Sequence, residues 1–237
     1  VSRLTIQPEV EDTTIVFLGS FGPDQFQPHW FSANDLIGEA EAKQAQIDVV
    51  SRVATRFRIT TNDITVMVEE NRFSVSAPVF VESAFDLILN TFERVLPGQN
   101  ISALGINRTV HFDAGSNDSR TRVGKRLAPP QEWGSLGDLI LKDNESGDPT
   151  KTGGMVSLSM RRTRSDSSGS VTARIEPSVR LPFTGIFLSI NDHFDIKDSM
   201  NAKAACFMLR EQWEGSRGLA HSIIEHIMVM CKEERRL

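Results

Sequence analysis

Residues 47–76 read IDVVSRVATRFRITTNDITVMVEENRFSVS, and the spacing in this stretch decides the fold. Ile47, Val49, Ser51, Val53, Thr55, Phe57 and Ile59 alternate with Asp48, Val50, Arg52, Ala54, Arg56, Arg58 and Thr60. A period of two predicts one long half-buried strand, and its β-branched content argues against a helix over 47–54. Ile64–Val68 and Arg72–Ser76 are further extended segments, and the short Glu69-Glu70-Asn71 connection between them predicts a hairpin.

Working outward, the period becomes helical at Val81, Phe85, Ile88, Phe92 and Val95, and Pro97-Gly98 stops that helix. Ile101 to Phe112 is read as a strand with Leu104, Ile106, Val110 and Phe112 on one face. Residues 113–123 and 142–154 are read as polar loops, with a short helix from Trp133 to Leu141 between them. Alternation then returns at Val156, Leu158 and Met160. After a hairpin loop at 164–170 it continues through Val171, Ala173 and Ile175, and again at Ile186, Leu188 and Ile190. Upstream, Thr14–Leu18 reads as a strand, residues 20–32 as an anchored irregular loop, and Ala33–Gln46 as a short helix capped by Ser32.

Three strands and a helix therefore recur over residues 47–96 and 154–234. The expected fold is α+β: two sheet-plus-helix (βββα-like) halves related by internal duplication, with mainly antiparallel sheets and a long C-terminal helix. The expected divisions are residues 1–112, a loop-rich connection at 113–153, and 154–237. A local echo, Gly105-Ile106-Asn107 against Ser189-Ile190-Asn191, adds to the duplication reading.

The closing helix carries Cys206, Leu209, Trp213, Ser216, Ala220, Ile223, Ile227 and Met230 at alternating steps of three and four. Ile224, Met228 and Cys231 widen that stripe, so the helix is expected to lie along a sheet. Gly215 and Gly218 predict a kink. Cys206 and Cys231 fall in this one helix, roughly 37 Å apart at about 1.5 Å per residue, and cannot pair.

The chain has 237 residues, 26 Lys+Arg against 31 Asp+Glu, and 14 Phe with no Tyr. This composition excludes collagen, disulfide-stapled miniproteins and disordered tails, and supplies a sizeable core. No apolar window is long enough for a membrane helix. No basic-then-apolar signal segment opens the chain, and the cysteines read as reduced, so the expected compartment is the cytoplasm. The sequence starts at Val1 rather than Met, which leaves open whether residues precede it. Charge is uneven: −7 over residues 1–100, +3 over 101–180 and −1 over 181–237.

Chemistry-bearing patterns are sparse. The two His-Phe-Asp triplets, His111 with Asp113 and His193 with Asp195, put imidazole and carboxylate two apart on strands. Four ligands would converge on one metal ion if the strands were neighbours, which is the basis of a metal-dependent hydrolase reading. The competing reading makes them strand-end residues with each Asp opening a turn. His221 and His226 are five apart, poorly spaced for one metal on a helix, and are expected on the surface. Lys151-Thr152 is similar to the end of a phosphate-binding loop, but Glu145 and Thr150 occupy its glycine positions. No nucleophile with its base is found, and no cofactor is expected.

The arginines are the other feature. Arg52, Arg56 and Arg58 are read on one strand face and Arg161, Arg162 and Arg164 at the end of another, with Arg120, Arg122, Lys125 and Arg126 in a loop. Arginine suits phosphate recognition, so an RNA-binding sheet is the alternative function. Sheet readers also present stacking aromatics, and here the polar face offers only Phe187. The competing reading pairs these arginines with the acidic N-terminal half.

The segment Ile64–Ser76 running into a helix, the strand Leu104-Gly105-Ile106-Asn107-Arg108, and Leu219-Ala220-His221 on the closing helix resemble a sporadically distributed, uncharacterised family of bacterial proteins of similar length. The likeness covers most of the chain, though members of that family often show a Tyr-containing strand at Thr109-Val110. The resemblance implies the fold and a bacterial origin. The family brings no established activity, and its sporadic distribution associates it with mobile or defence-related genes. The expected function is a non-enzymatic cytoplasmic interaction subunit, an accessory or neutralising component of a bacterial defence or toxin-type system. It would bind a protein partner through its acidic N-terminal surface, in an oligomeric state the sequence leaves open.

Overall fold

A computed structural model describes residues 3–78, 82–145, 153–165, 168–197 and 200–232. Nine strands form one sheet: β1 (Val10–Gly19), β2 (Gln46–Val50), β3 (Ala54–Ile59), β4 (Ile64–Glu69), β5 (Arg72–Ala77), β6 (Ile101–Asp113), β7 (Leu158–Thr163), β8 (Gly169–Pro177) and β9 (Gly185–Asp195). The helices are α1 (Pro28–Ala33), α2 (Glu39–Gln44), α3 (Glu82–Leu89), α4 (Asn117–Leu127), α5 (Gly134–Glu145) and α6 (Ala202–Lys232), with α3 widening into a π-helical segment over Asn90–Val95. The strand order is β2-β3-β4-β5-β1-β6-β9-β8-β7, and every neighbouring pair is antiparallel.

The fold is therefore α+β, with the long C-terminal helix in place. Read from the central pair β1–β6 outward, β5, β4 and β3 lie on one side and β9, β8 and β7 on the other, so β1-β3-β4-β5-α3 and β6-β7-β8-β9-α6 follow the same order. The correspondence is one of topology. The Asn107/Asn191 echo lies outside it, because it joins β6 to β9 while the counterpart of β6 is β1.

Three local expectations are corrected. The alternation over 47–59 is a hairpin rather than one strand: Ser51 N–H donates to the Ala54 carbonyl at 2.8 Å, the Ser51 side chain bonds the same residue, and β2 folds back along β3. The polar and apolar letters stay in phase through this turn, so the period alone gives no sign of it. No single helix spans 33–46: Pro28, with its preset φ, opens α1 inside the expected loop of 20–32, α1 ends at Ala33, Asp35 adopts φ +54° after it, and only Glu39–Gln44 of the segment forms a second helix, with Gln46 already in β2. Ser32 lies inside α1. Residues 117–127 are helical rather than loop, with Ser116 as the cap that accepts from the Ser119 N–H at 3.1 Å. Val81, residues 146–152 of one expected loop and residues 166–167 of another lie outside the described residues.

All apolar clusters sit on one face of the sheet. The first gathers Phe17, Phe21, Phe26, Phe31, Phe57, Phe73 and Phe92, with Phe73 and Phe92 edge-to-face at 4.8 Å. The second holds Val110, Phe112, Val123, Ile175, Ile186, Leu188 and Ile190. Helix α6 roofs both: Ala205, Cys206, Leu209 and Trp213 enter the first, and Ala220, Ile224, Ile227 and Met228 the second. It is helical without interruption through Gly215 and Gly218. Thr5 N–H donates to Glu225 Oε2 at 2.7 Å and the Lys232 ammonium to the Thr5 carbonyl at 2.9 Å, which straps the leading segment along α6.

Between the two clusters lies a buried polar seam. Arg108 Nη2 meets Glu11 Oε1 at 2.6 Å, with 7% and 13% of the two side chains exposed. Ser216 Oγ on α6 donates to Asp192 Oδ2 at 2.6 Å, and Arg164 bonds the other oxygen of Asp192 while its guanidinium stacks 4.1 Å over the Phe194 ring. Removing one member of a buried ion pair strands the other. Arg108→Met should therefore destabilise the fold by about 3–5 kcal/mol, whereas Glu11→Leu combined with Arg108→Met should return close to the wild-type stability. Urea denaturation of the single and double variants measures this, and equal losses in both would contradict it.

Candidate functional site

Among the described residues, the face of the sheet opposite the helices carries no apolar cluster. Pairing in register runs one row of side chains across every strand of it: Gln46, Arg58, Thr65, Ser76, Thr14, Asn107, Asn191, Thr172 and Arg161. Each is polar, and each is half-buried or exposed. The adjacent row brings Met67, Ser74, Val16, Gly105, His193 and Ser170 side by side, with small residues near its centre. The side chains of one row lie about 4.8 Å apart, which suits a broad, shallow recognition surface. Such a row is invisible in the linear sequence, because its members come from nine separate segments.

The arginines do not form one surface. Arg56, Arg58 and Arg161 share the open face, but β3 and β7 stand seven strand spacings apart, about 34 Å. Arg52 lies in the β2–β3 turn, Arg162 points to the opposite face beside Val171, and Arg164 is committed to Asp192. Arg56 pairs with Asp48 at 3.3 Å, Arg58 with Asp63, and Arg174 with Glu176, so acidic neighbours offset the arginines of β3 and β8 on this face. Arg120, Arg122, Lys125 and Arg126 belong to helix α4, not to a loop.

The two His-Phe-Asp triplets sit on neighbouring strands and on the same face, yet they do not converge. His193 pairs opposite Gly105, six residues along β6 from His111, a separation of about 20 Å. His111 Nδ1 contacts Ser178 Oγ at 2.8 Å and its ring lies 4.7 Å from Phe187, while burial and Arg180 hold its pKa below the ordinary imidazole value. Asp113 accepts the Gly115 N–H at 2.7 Å, the turn-opening role. His193 Nε2 lies 3.1 Å from Asp195 Oδ1. Among the described residues no cluster of three or more His, Cys, Asp or Glu could hold a metal ion, which removes the geometric basis for the hydrolase reading. His226 is exposed, but His221 is buried rather than on the surface, and burial together with Arg108 lowers its pKa. Lys151 and Thr152 lie outside the described residues. Burial pushes the Cys206 thiol up to about 12 and the Cys231 thiol up to about 11, so neither serves as a nucleophile at neutral pH.

Sequence reasoning passed over Asp12. It sits on the open face opposite Thr109, and burial, reinforced by the nearby Asp63, raises its carboxyl from 3.8 to about 6. Its ionised form is disfavoured there because the strand removes part of its hydration.

No family model matches the chain, and no curated protein matches it. Among solved structures, a rolling circle replication initiator protein from Geobacillus stearothermophilus is similar at a TM-score of 0.26 and 9% identity, covering 94% of this chain and 79% of that one, a likeness that carries no argument. Among the described residues no helix is long and apolar enough to cross a membrane.

The Asp12 shift has a definite sign. The folded protein keeps this proton where the unfolded chain has lost it, so its contribution to stability falls as pH rises from 3.8 to about 6. Asp12→Asn should therefore be more stable than wild type at pH 7.5, by about 1 kcal/mol after solvent screening, with no gain near pH 4. Denaturation midpoints at the two pH values test this, and a pH-independent difference would count against it.

Proposed function

We propose that the chain is a non-enzymatic protein-interaction subunit whose recognition surface is the open face of the sheet, extended at one end by strand β2. The observation that carries this reading is the polar row across all nine strands, in which Arg58 near one end pairs with Asp63, while Arg56 and Arg174 beside the row pair with Asp48 and Glu176 and Arg161 stands at the other end. A surface that grips phosphates leaves its cations unpaired, whereas interleaved donors, acceptors and both charge signs suit a folded protein partner. Strand β2 supports the same reading: it is a sheet edge exposed along its length, with Ile47, Val49 and Val50 open to solvent. The two free, buried cysteines are in keeping with a cytoplasmic setting. The resemblance to a sporadically distributed bacterial family makes toxin and effector proteins the first partners to assay, in the role of an accessory or neutralising subunit.

The test is stoichiometric co-purification from the native host, with Asn191→Arg placed at an exposed position of the row on β9. Wild type should elute with a defined partner, and Asn191→Arg should weaken that complex about tenfold while remaining folded. Retention of the partner by the variant would move the interface elsewhere. Salt-dependent binding of RNA or DNA in a fluorescence-anisotropy titration at two ionic strengths would instead favour the nucleic-acid reading and overturn this one.

A further inference from the structure

On the helix side, away from the open face, α4, α5 and the strands β7 and β8 enclose a pocket of about 520 Å³. Its floor is apolar: Val123 from α4, Ile175 from β8 and Ile186 from β9 are buried there, and Ile140 of α5 forms one wall. On the α5 side Gly137 lets the helix pack directly on the Pro130 carbonyl, where a Cβ would collide. The volume lies within the range of small-molecule sites, about 300–1,000 Å³. Around the mouth, Trp133, Leu136 and Val156 are 62%, 53% and 79% exposed, a local density of apolar surface that singly scattered residues do not produce.

The polar lining is one-sided. Arg120 and Lys125 both line the pocket from α4, and neither forms an ion pair with a described residue; Arg120 bonds only the neutral Asn117 side chain. The single carboxylate of the lining, Glu176, is bonded to Arg174. An apolar cavity flanked by two cations that form no ion pair among the described residues complements a ligand with a hydrocarbon body and one anionic head. We propose that this pocket binds an amphipathic monoanion of the medium-chain carboxylate type. Its tail lies over Val123, Ile140, Ile175 and Ile186, and its carboxylate lies against Lys125 and Arg120. The site is separate from the open face and stands or falls apart from the protein-partner reading.

The probe is dodecanoate, titrated calorimetrically below its aggregation range, with dodecan-1-ol as the uncharged control. Saturable one-to-one binding of dodecanoate is expected, about tenfold tighter than dodecan-1-ol, with the difference abolished by Arg120→Gln combined with Lys125→Gln. Leu136→Asp, at an exposed position, should weaken both ligands; circular-dichroism melting establishes that each variant is folded. Absence of dodecanoate binding overturns the proposal. So does equal binding of acid and alcohol, which would leave a purely apolar cleft, or binding to anionic phospholipid vesicles without binding of monomeric dodecanoate, which would mark a membrane-facing patch.

Discussion

Where α6 crosses from one apolar cluster to the other, its underside meets charge instead of hydrocarbon. Ser216 reaches Asp192, Asp192 holds Arg164, and close by on the sheet Arg108 holds Glu11. Burying these groups gains nothing by the hydrophobic effect and costs several kcal/mol for any charge left alone. The seam therefore acts through geometry: only one placement of α6 over β6 and β9 satisfies every partner, and sliding the helix by one turn would leave Asp192 without its hydroxyl. Two apolar clusters that would each accept several packings are thereby locked into one relation.

The strands with one apolar face were legible in the sequence, since burying Ile64, Val66 and Val68, or Val110 and Phe112, requires the period that reveals them. The α6 stripe was legible for the same reason. What failed has a physical cause in each case. The turn at Ser51–Ala54 preserves the alternation on both sides and is closed by one serine and a backbone bond rather than by Gly or Pro. Helix α4 buries only Val123 and Gly124 among polar neighbours, so its periodicity is too thin to separate from a loop. The candidate surface was the least legible part. A row of side chains collected from nine strands depends on register, and register is set by pairings between residues as distant as Thr14 and Asn107.

The two faces of the sheet answer different demands. The helix side buries most of the described phenylalanines, and a buried ring without a hydroxyl needs no hydrogen-bond partner there. The opposite side carries hydroxyls, amides and paired charges at half-buried positions, where water or another polar surface satisfies them. Asp12 is the exception on that side, a carboxyl whose partial burial raises its pKa to about 6 and leaves it less stable when ionised.

Helix α6 follows every strand in the chain, yet Ala205, Leu209 and Trp213 roof a cluster built mostly from residues before 107. During synthesis the phenylalanine-rich floor is thus exposed long before its lid emerges from the ribosome. Such an interval of unprotected apolar surface invites aggregation, and the nascent chain is a natural client for holding chaperones until its last helix arrives.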